Sequence, residues 1–276
     1  MAESFGTDPA RYDRARPRYP DALVEAIVEA SVETSVAAAS AAASGREALG
    51  AGAPGREVLD VGCGTGIVSR QFQAAGCRVL GVDVDARMAE FARSTGVEAE
   101  VAKFEEWDPA GRVFDAVVSG QSWHWVDPVA GAVMAAKVLR PGGRLAVFWN
   151  VNQPPPDLAE AFRDIYRRVM PGFPATTRPS TAPDDDYSPF VTRASDGVAA
   201  SGAFGEAEQW RFGWERGYTR DEWLDMVPTS GGFSRLSRAD VEEVLSSVGA
   251  AIDAVGGAFT MRYTTLVVTA TRLDHS

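Results

Sequence analysis

Short apolar segments alternate with amphipathic ones through the middle of the chain. The turn after the first apolar segment is built from three closely spaced glycines, and an acid lies at or near the end of each of the first two apolar segments. These observations predict an α/β fold: a doubly wound, mostly parallel sheet of seven strands.

The opening stretch, Phe5 to Pro20, is basic and aromatic (FGTDPARYDRARPRYP). Asp21 then caps a helical pattern with Leu23, Val24, Ile27 and Val28 on one face. Ser31 to Gly55 is rich in Ala, Gly and Ser and reads as a frayed helix end followed by a flexible linker. Glu57 to Val61 is the first strand, Gly66 to Ala75 a helix, Arg78 to Val82 a strand and Asp85 to Arg93 a helix. Val97 to Ala102 and Phe114 to Ser119 are strands, Pro128 to Leu139 is a helix, and Arg144 to Trp149 is a fifth strand. Strands separated by helices imply parallel pairing with right-handed crossovers, and a ligand beyond the carboxyl ends of the strands.

From Asn152 to about Ser201 the pattern breaks. A helix at Asp157 to Val169 precedes a long Pro-, Thr- and Asp-rich run, the composition of a lid or cap. A strand at Glu206 to Trp214, helices at Thr219 to Met226 and Ser237 to Val255, and a strand at Ala258 to Thr271 complete the same sheet. The expected organisation is a cover helix and linker over 1–55, a cofactor-binding half over 56–151, a cap insertion over 152–203 and a sheet completion over 204–276.

Charge narrows the partners. The 276 residues hold 27 Lys and Arg against 38 Asp and Glu, a formal net charge of −11. Such a surface repels phosphate backbones and anionic membranes unless its basic residues cluster, and only Arg11, Arg14, Arg16 and Arg18 come close. Neither nucleic acid nor membrane is the expected partner. No apolar run approaches the roughly 20 residues a spanning helix needs. The Ala-rich stretch from Ser35 follows Asp21, Glu25, Glu29 and Glu33, which does not suit a leader, so the cytoplasm is the expected location. Two cysteines, Cys63 and Cys77, without paired ligand spacing point to reduced thiols, not to a disulfide framework or a metal. Asp184 to Asp186 read as a solvated loop.

The segment EVLDVGCGTGIVSR, residues 57–70, carries the chemistry. Gly62, Gly64 and Gly66 let the chain turn sharply and let a ligand touch backbone, and the following helix presents N–H groups to it. A dinucleotide fingerprint requires glycine at position 67, where this chain has Ile67. Asp60 would repel a pyrophosphate but suits a cationic amino-acid group. Asp83, ending the next strand, can accept hydrogen bonds from both hydroxyls of a ribose.

With these residues the chain resembles the Rossmann-like class I S-adenosylmethionine-dependent methyltransferases, and within them the methyltransferase type 11, trans-aconitate methyltransferase-like group. LDVGCGTG, VDVDARM, FDAVVSGQSWHWVDP and LRPGGRLAVFW carry the resemblance, and YDRARPRYP is similar to a segment that many such enzymes fold over the cofactor. The resemblance implies a seven-stranded sheet whose last strand is antiparallel, and S-adenosyl-L-methionine as cofactor. It implies that Asp60, Gly62, Cys63 and Gly64 meet the methionine part, Asp83 the ribose, and Val84 or Met88 the adenine. Lys103 stands where many relatives carry Asp beside the adenine, which leaves Phe104 and Glu105 to contribute through their backbone. Gln121, Tyr12 and Arg16 complete the candidate cofactor set, the last two as contacts to its carboxylate.

His124, within QSWHW just past the fourth strand, is the candidate acid–base group. It reads either as a base or orienting hydrogen bond for the methyl acceptor, or as a structural histidine bonding a neighbouring loop. Trp123, Trp125 and Trp149 read either as a stacking wall for the acceptor or as packing. The expected function is methyl transfer to a small-molecule acceptor by a monomer or homodimer. A non-catalytic binding module and a protein or RNA methyltransferase are the alternatives.

Overall fold

The structure, a computed structural model, describes residues 7–42, 55–171 and 187–274. Most of the expected linker, the run 172–186 with its three aspartates, and His275 lie outside the described residues. The chain divides into two compact units.

The first unit comprises Arg18–Trp149, Phe190–Phe212 and Leu266–Ser276. Its strands are β1 (Glu57–Val61), β2 (Arg78–Asp83), β3 (Glu98–Val101) and β4 (Phe114–Gly120). To these are added the unit's share of β5 (Leu139–Gln153), β6 (Glu208–Thr219) and β7 (Ala258–Thr271), giving a seven-stranded sheet in the order β3-β2-β1-β4-β5-β7-β6. The pairs β1–β2, β2–β3, β1–β4 and β4–β5 are parallel. β7 runs the other way: Arg272 N–H donates to Gly143 and Thr269 Oγ1 to Leu145, so β7 descends as β5 ascends. Strand order reverses between β1 and β4, which opens a crevice beyond their carboxyl ends.

The helices of this unit are α2 (Asp21–Ala42), α3 (Ile67–Ala74), α4 (Ala86–Ser94), α5 (Pro128–Val138) and most of α7 (Ser188–Ser201). The apolar stripe of α2 does what its spacing predicts: Leu23 and Ile27 are wholly buried, in one cluster with Val58, Phe72, Val118 and Phe148. Each such buried side chain contributes about 1.5–3 kcal/mol. A smaller cluster of Cys63, Ala89, Ala92, Val97 and Ala99 ties the glycine loop to α4 and β3. Asp85 caps α4 by accepting from Arg87 N–H, and Asp127 caps α5 with Pro128 at its first position.

The second unit comprises Met1–Pro17, Asn150–Pro189 and Gly213–Thr265. It holds α1 (Pro9–Ala15), α6 (Pro156–Val169), α8 (Arg220–Met226), α9 (Arg238–Ala254) and its share of β5, β6 and β7. Its core is aromatic: Phe162 stacks on Trp223 at 6.0 Å, and Trp223 meets Phe259 edge-on at 5.3 Å. A capping box between Thr219 and Glu222 starts α8.

Most elements end within one residue of where the sequence pattern ends them; four differ. α1 is a helix where the sequence reads only as a basic segment, with Asp8 as its cap. β5 begins at Leu139 and not at Arg144, because Pro141, Gly142 and Gly143 are taken up in a register shift between Phe114 and Ala116, and it runs on to Gln153, past the expected end at Trp149 and into the expected insertion. β6 continues to Thr219, past the expected end at Trp214. Its glycines at 213 and 217 lie on the exposed side of the alternation, with open space where a β-carbon would stand. Finally, α7 occupies part of the expected irregular insertion, burying Val191, Ala194, Gly197 and Val198 at helical spacing.

Candidate active site at the crevice

The turn after β1 is held from both sides. Gly62 N–H donates to Val82 O at 2.7 Å, and Gly66 N–H closes the turn onto Cys63 O at 2.8 Å. Gly62 has φ +68°, and a β-carbon there would lie 2.4 Å from that of Ser122. Only glycine fits. Gly66, at φ +84°, forms the left-handed entry to α3.

Asp60 is wholly buried. Its Oδ2 accepts from Ser69 Oγ of α3 at 2.6 Å, while Oδ1 has no hydrogen-bond partner. Burial pushes its carboxyl up to about 7, the nearby Asp83 adds to this, and the Ser69 hydroxyl opposes it. An orphaned buried acceptor is costly, and a cationic donor at Oδ1 would both satisfy it and draw the group to its ionised form.

Asp83 ends β2. Its Oδ2 accepts from Gly64 N–H and its Oδ1 from Asp85 N–H, both at 2.8 Å. The carboxylate therefore fixes the glycine loop to the start of α4. Burial raises its pKa against the pull of those two N–H groups. Each oxygen keeps a further lone pair for a hydroxyl donor. Val84 beside it is exposed and Met88 is buried, so only Val84 offers a solvent-facing surface there. Phe104 is buried, and the Glu105 carboxylate accepts from Asp127 N–H at 2.9 Å, which commits its side chain to the start of α5. Cys63 packs under Gly81, and burial pushes its thiol well above the usual range, so it stays protonated and weakly nucleophilic.

After β4, Ser119 and Ser122 both donate to Val61 O, at 2.9 and 2.7 Å. This clamp joins the ends of β1 and β4 and escaped the sequence reading; two serines spaced three apart at a strand end are its only signal. Gln121 between them adopts φ +58°, unusual for a residue with a side chain, and its N–H donates to Phe148 O.

The WHW segment, Trp123–Trp125, forms a single 3-10 turn. Trp123 is buried against Phe104 and Gly131, and Trp149 is also buried, so of the three candidate tryptophans only Trp125, 44% exposed, presents its ring to solvent. His124 lies between. Its ring stacks on Phe190 of α7 at 4.7 Å, and its Nδ1 accepts from Trp149 Nε1–H at 3.4 Å. Arg193 of α7 donates to the carbonyls of His124 and Val126. Burial, reinforced by the Arg193 charge, brings the His124 pKa down to about 4. Phe190 and Arg193 are residues the sequence did not disclose, because the segment around them reads as irregular.

Tyr12 and Arg16 belong to the second unit. The Arg16 guanidinium lies 4.8 Å from the Tyr12 ring centre and donates to Thr229 O. Among the described residues no group of three or more His, Cys, Asp or Glu is placed to hold a metal, and no helix is long and apolar enough to cross a membrane.

Comparison with known proteins adds an independent line. Residues 59–147 match the family model described as a methyltransferase domain. An uncharacterized methyltransferase of Mycobacterium tuberculosis is 32% identical over 154 residues, 55% of this chain and 54% of the relative. A malonyl-[acyl-carrier protein] O-methyltransferase of Enterobacter lignolyticus is 38% identical over 125 residues, 43% of this chain and 50% of the relative. The chain thus spans about half the length of the curated relatives it matches. A solved structure from Anaeromyxobacter dehalogenans, assigned as a type II methyltransferase, shares the fold at a TM-score of 0.60 and 22% identity, covering 94% of this chain and 99% of that one. The matched segment, 59–147, contains the glycine loop and β2 to β4, and it is similar to a methyltransferase domain; the sheet has the fold of that solved structure.

Proposed function

We propose that the chain transfers a methyl group from S-adenosylmethionine to a small-molecule acceptor. One observation carries the reading: a buried carboxyl with an unpartnered oxygen, Asp60, lies on the same loop framework as Asp83, whose carboxylate accepts from the N–H of Gly64 in the glycine turn. The residues suit the cofactor. Asp60 Oδ1 fits its ammonium group, Asp83 its ribose hydroxyls, and Val84 the face of its adenine.

When bound, the cofactor supplies a methyl group on a sulfonium, whose neutral sulfur leaves without acid assistance. What falls to the chain is alignment and exclusion of water. The Ser119–Ser122 clamp on Val61 fixes the distance between the ends of β1 and β4. His124 is neutral above about pH 4 and presents Nε2–H, which makes it a hydrogen-bond donor toward the acceptor and a poor candidate for the base. Trp125 and Phe190 offer apolar ring surface beside it.

A small acceptor is favoured over RNA by the net charge of −11. The test is release of S-adenosylhomocysteine with panels of small acids, phenols and quinols, set against peptide and RNA panels. Turnover with a member of the small-molecule panels is the expected result. Turnover with only peptide or RNA, or with nothing tested, would overturn the proposal.

A further inference from the structure

α7 packs on the start of α5. A β-carbon on Gly197 would stand 2.4 Å from Pro128 O, so the helix backbone meets the first residue of α5 directly. Phe190, Arg193, Ala194 and Gly197 recur at helical spacing, which turns one face of α7 to the WHW turn and α5. A single 3-10 turn has little of its own to hold it. Its bonds, Trp125 N–H to Ser122 O and Val126 N–H to Trp123 O, leave the carbonyls of His124 and Val126 to other donors. Arg193 takes both, at 3.3 and 3.4 Å.

The imidazole is fixed as well as the backbone. The Phe190 ring stacks on it at 4.7 Å with 28° between the planes, and on Trp149 at 6.3 Å with 24°. Trp149 Nε1–H occupies Nδ1. Burial and the Arg193 charge keep the ring neutral. What remains is Nε2. It carries the proton, has no hydrogen-bond partner among the described residues, and is not one of the wholly buried polar atoms.

Arg193, Phe190 and Trp149 thus set the backbone, the plane and the tautomer of a histidine whose one N–H is left unspent. A half-buried histidine that served packing alone would spend both nitrogens on the protein. We propose that Phe190 and Arg193 are positioning residues that hold the His124 Nε2–H donor in place at the crevice. That this donor serves the methyl acceptor rests on the methyl-transfer reading above; that α7 holds it rests on these contacts alone.

The test reads the ring and the reaction separately, in the full chain and in Phe190→Leu, Arg193→Met and Arg193→Lys. Nitrogen-detected NMR follows His124 without any ligand. Arg193→Met removes a positive charge, so the titration midpoint should rise from about 4 toward 6.5, while Arg193→Lys keeps the charge and should keep the midpoint low. Phe190→Leu should leave the tautomer to Trp149 but speed exchange of the Nε2–H with solvent several-fold. Kinetics then use whichever member of the small-molecule panels the parent methylates. Loss of alignment should lower kcat roughly tenfold or more in Phe190→Leu and Arg193→Met, with KM within about twofold of the parent. An ordered Nε2–H in a parent that methylates nothing would remove the methyl-transfer reading and keep the positioning of His124. Turnover whose kcat neither variant changes, or His124 spectra identical in the parent, Phe190→Leu and Arg193→Met, would overturn the proposal.

Discussion

The indole N–H of Trp149 points at Nδ1 of His124 across 3.4 Å, and an indole nitrogen can only donate. Nδ1 is therefore the acceptor and the imidazole proton resides on Nε2. Buried Trp149 thus sets the tautomer of a side chain at the crevice.

Nitrogen-detected NMR should show His124 as the Nε2–H tautomer and still neutral at pH 5, since its pKa is brought down to about 4. Trp149→Phe removes the donor and should mix the tautomers. A folded pKa below the unfolded value gives stability present above about pH 6.5 and lost as pH falls toward 4. A His124→Phe variant should lose that part of the acid dependence. An imidazolium signal at pH 6 would contradict the assignment.

Asp60 has the opposite sign. Its pKa is raised from 3.8 to about 7 in the folded chain, so its contribution to stability is full below about 3.8 and is lost as pH rises through 7. Asp60→Asn should therefore gain on the parent in melting temperature between pH 5 and pH 8 in the absence of ligand. A constant difference between the two across that range would show that Asp60 is already ionised at pH 5.

Cofactor binding should follow the same group. Affinity for S-adenosylhomocysteine should rise with pH through about 7 in the parent chain and not in Asp60→Asn. Calorimetry at three pH values on both proteins reads this directly.

Gly62→Ala places a β-carbon 2.4 Å from that of Ser122 in a backbone at φ +68°, and it should cost at least about 2 kcal/mol in denaturant unfolding. Gly213→Ala, which meets open space on an exposed strand position, should stay within about 0.5 kcal/mol of the parent. Equal effects would mean that the turn is not held as described.

The central strand–turn–helix framework was legible because its signals are local: apolar runs of fixed length and glycines at a turn. The roles of the tryptophans were not. Trp123 and Trp149 are buried and Trp125 is exposed, a distinction made by Phe104, Gly131 and Phe190, which are distant in sequence from some or all of them. The Ser119–Ser122 clamp was hidden for the same reason, since its acceptor is Val61 on another strand. The expected end of β6 at Trp214 falls short of the observed one at Thr219, although the alternation of Trp210, Phe212, Trp214, Arg216 and Tyr218 continues through Gly213 and Gly217.

The most direct test of the cofactor site is calorimetric titration of S-adenosylhomocysteine into the parent chain and into Asp83→Ala. One bound molecule per chain is expected, with a loss of about 1–3 kcal/mol in binding when the Asp83 carboxylate is removed. No measurable heat with the parent, or an affinity untouched by Asp83→Ala, would contradict it.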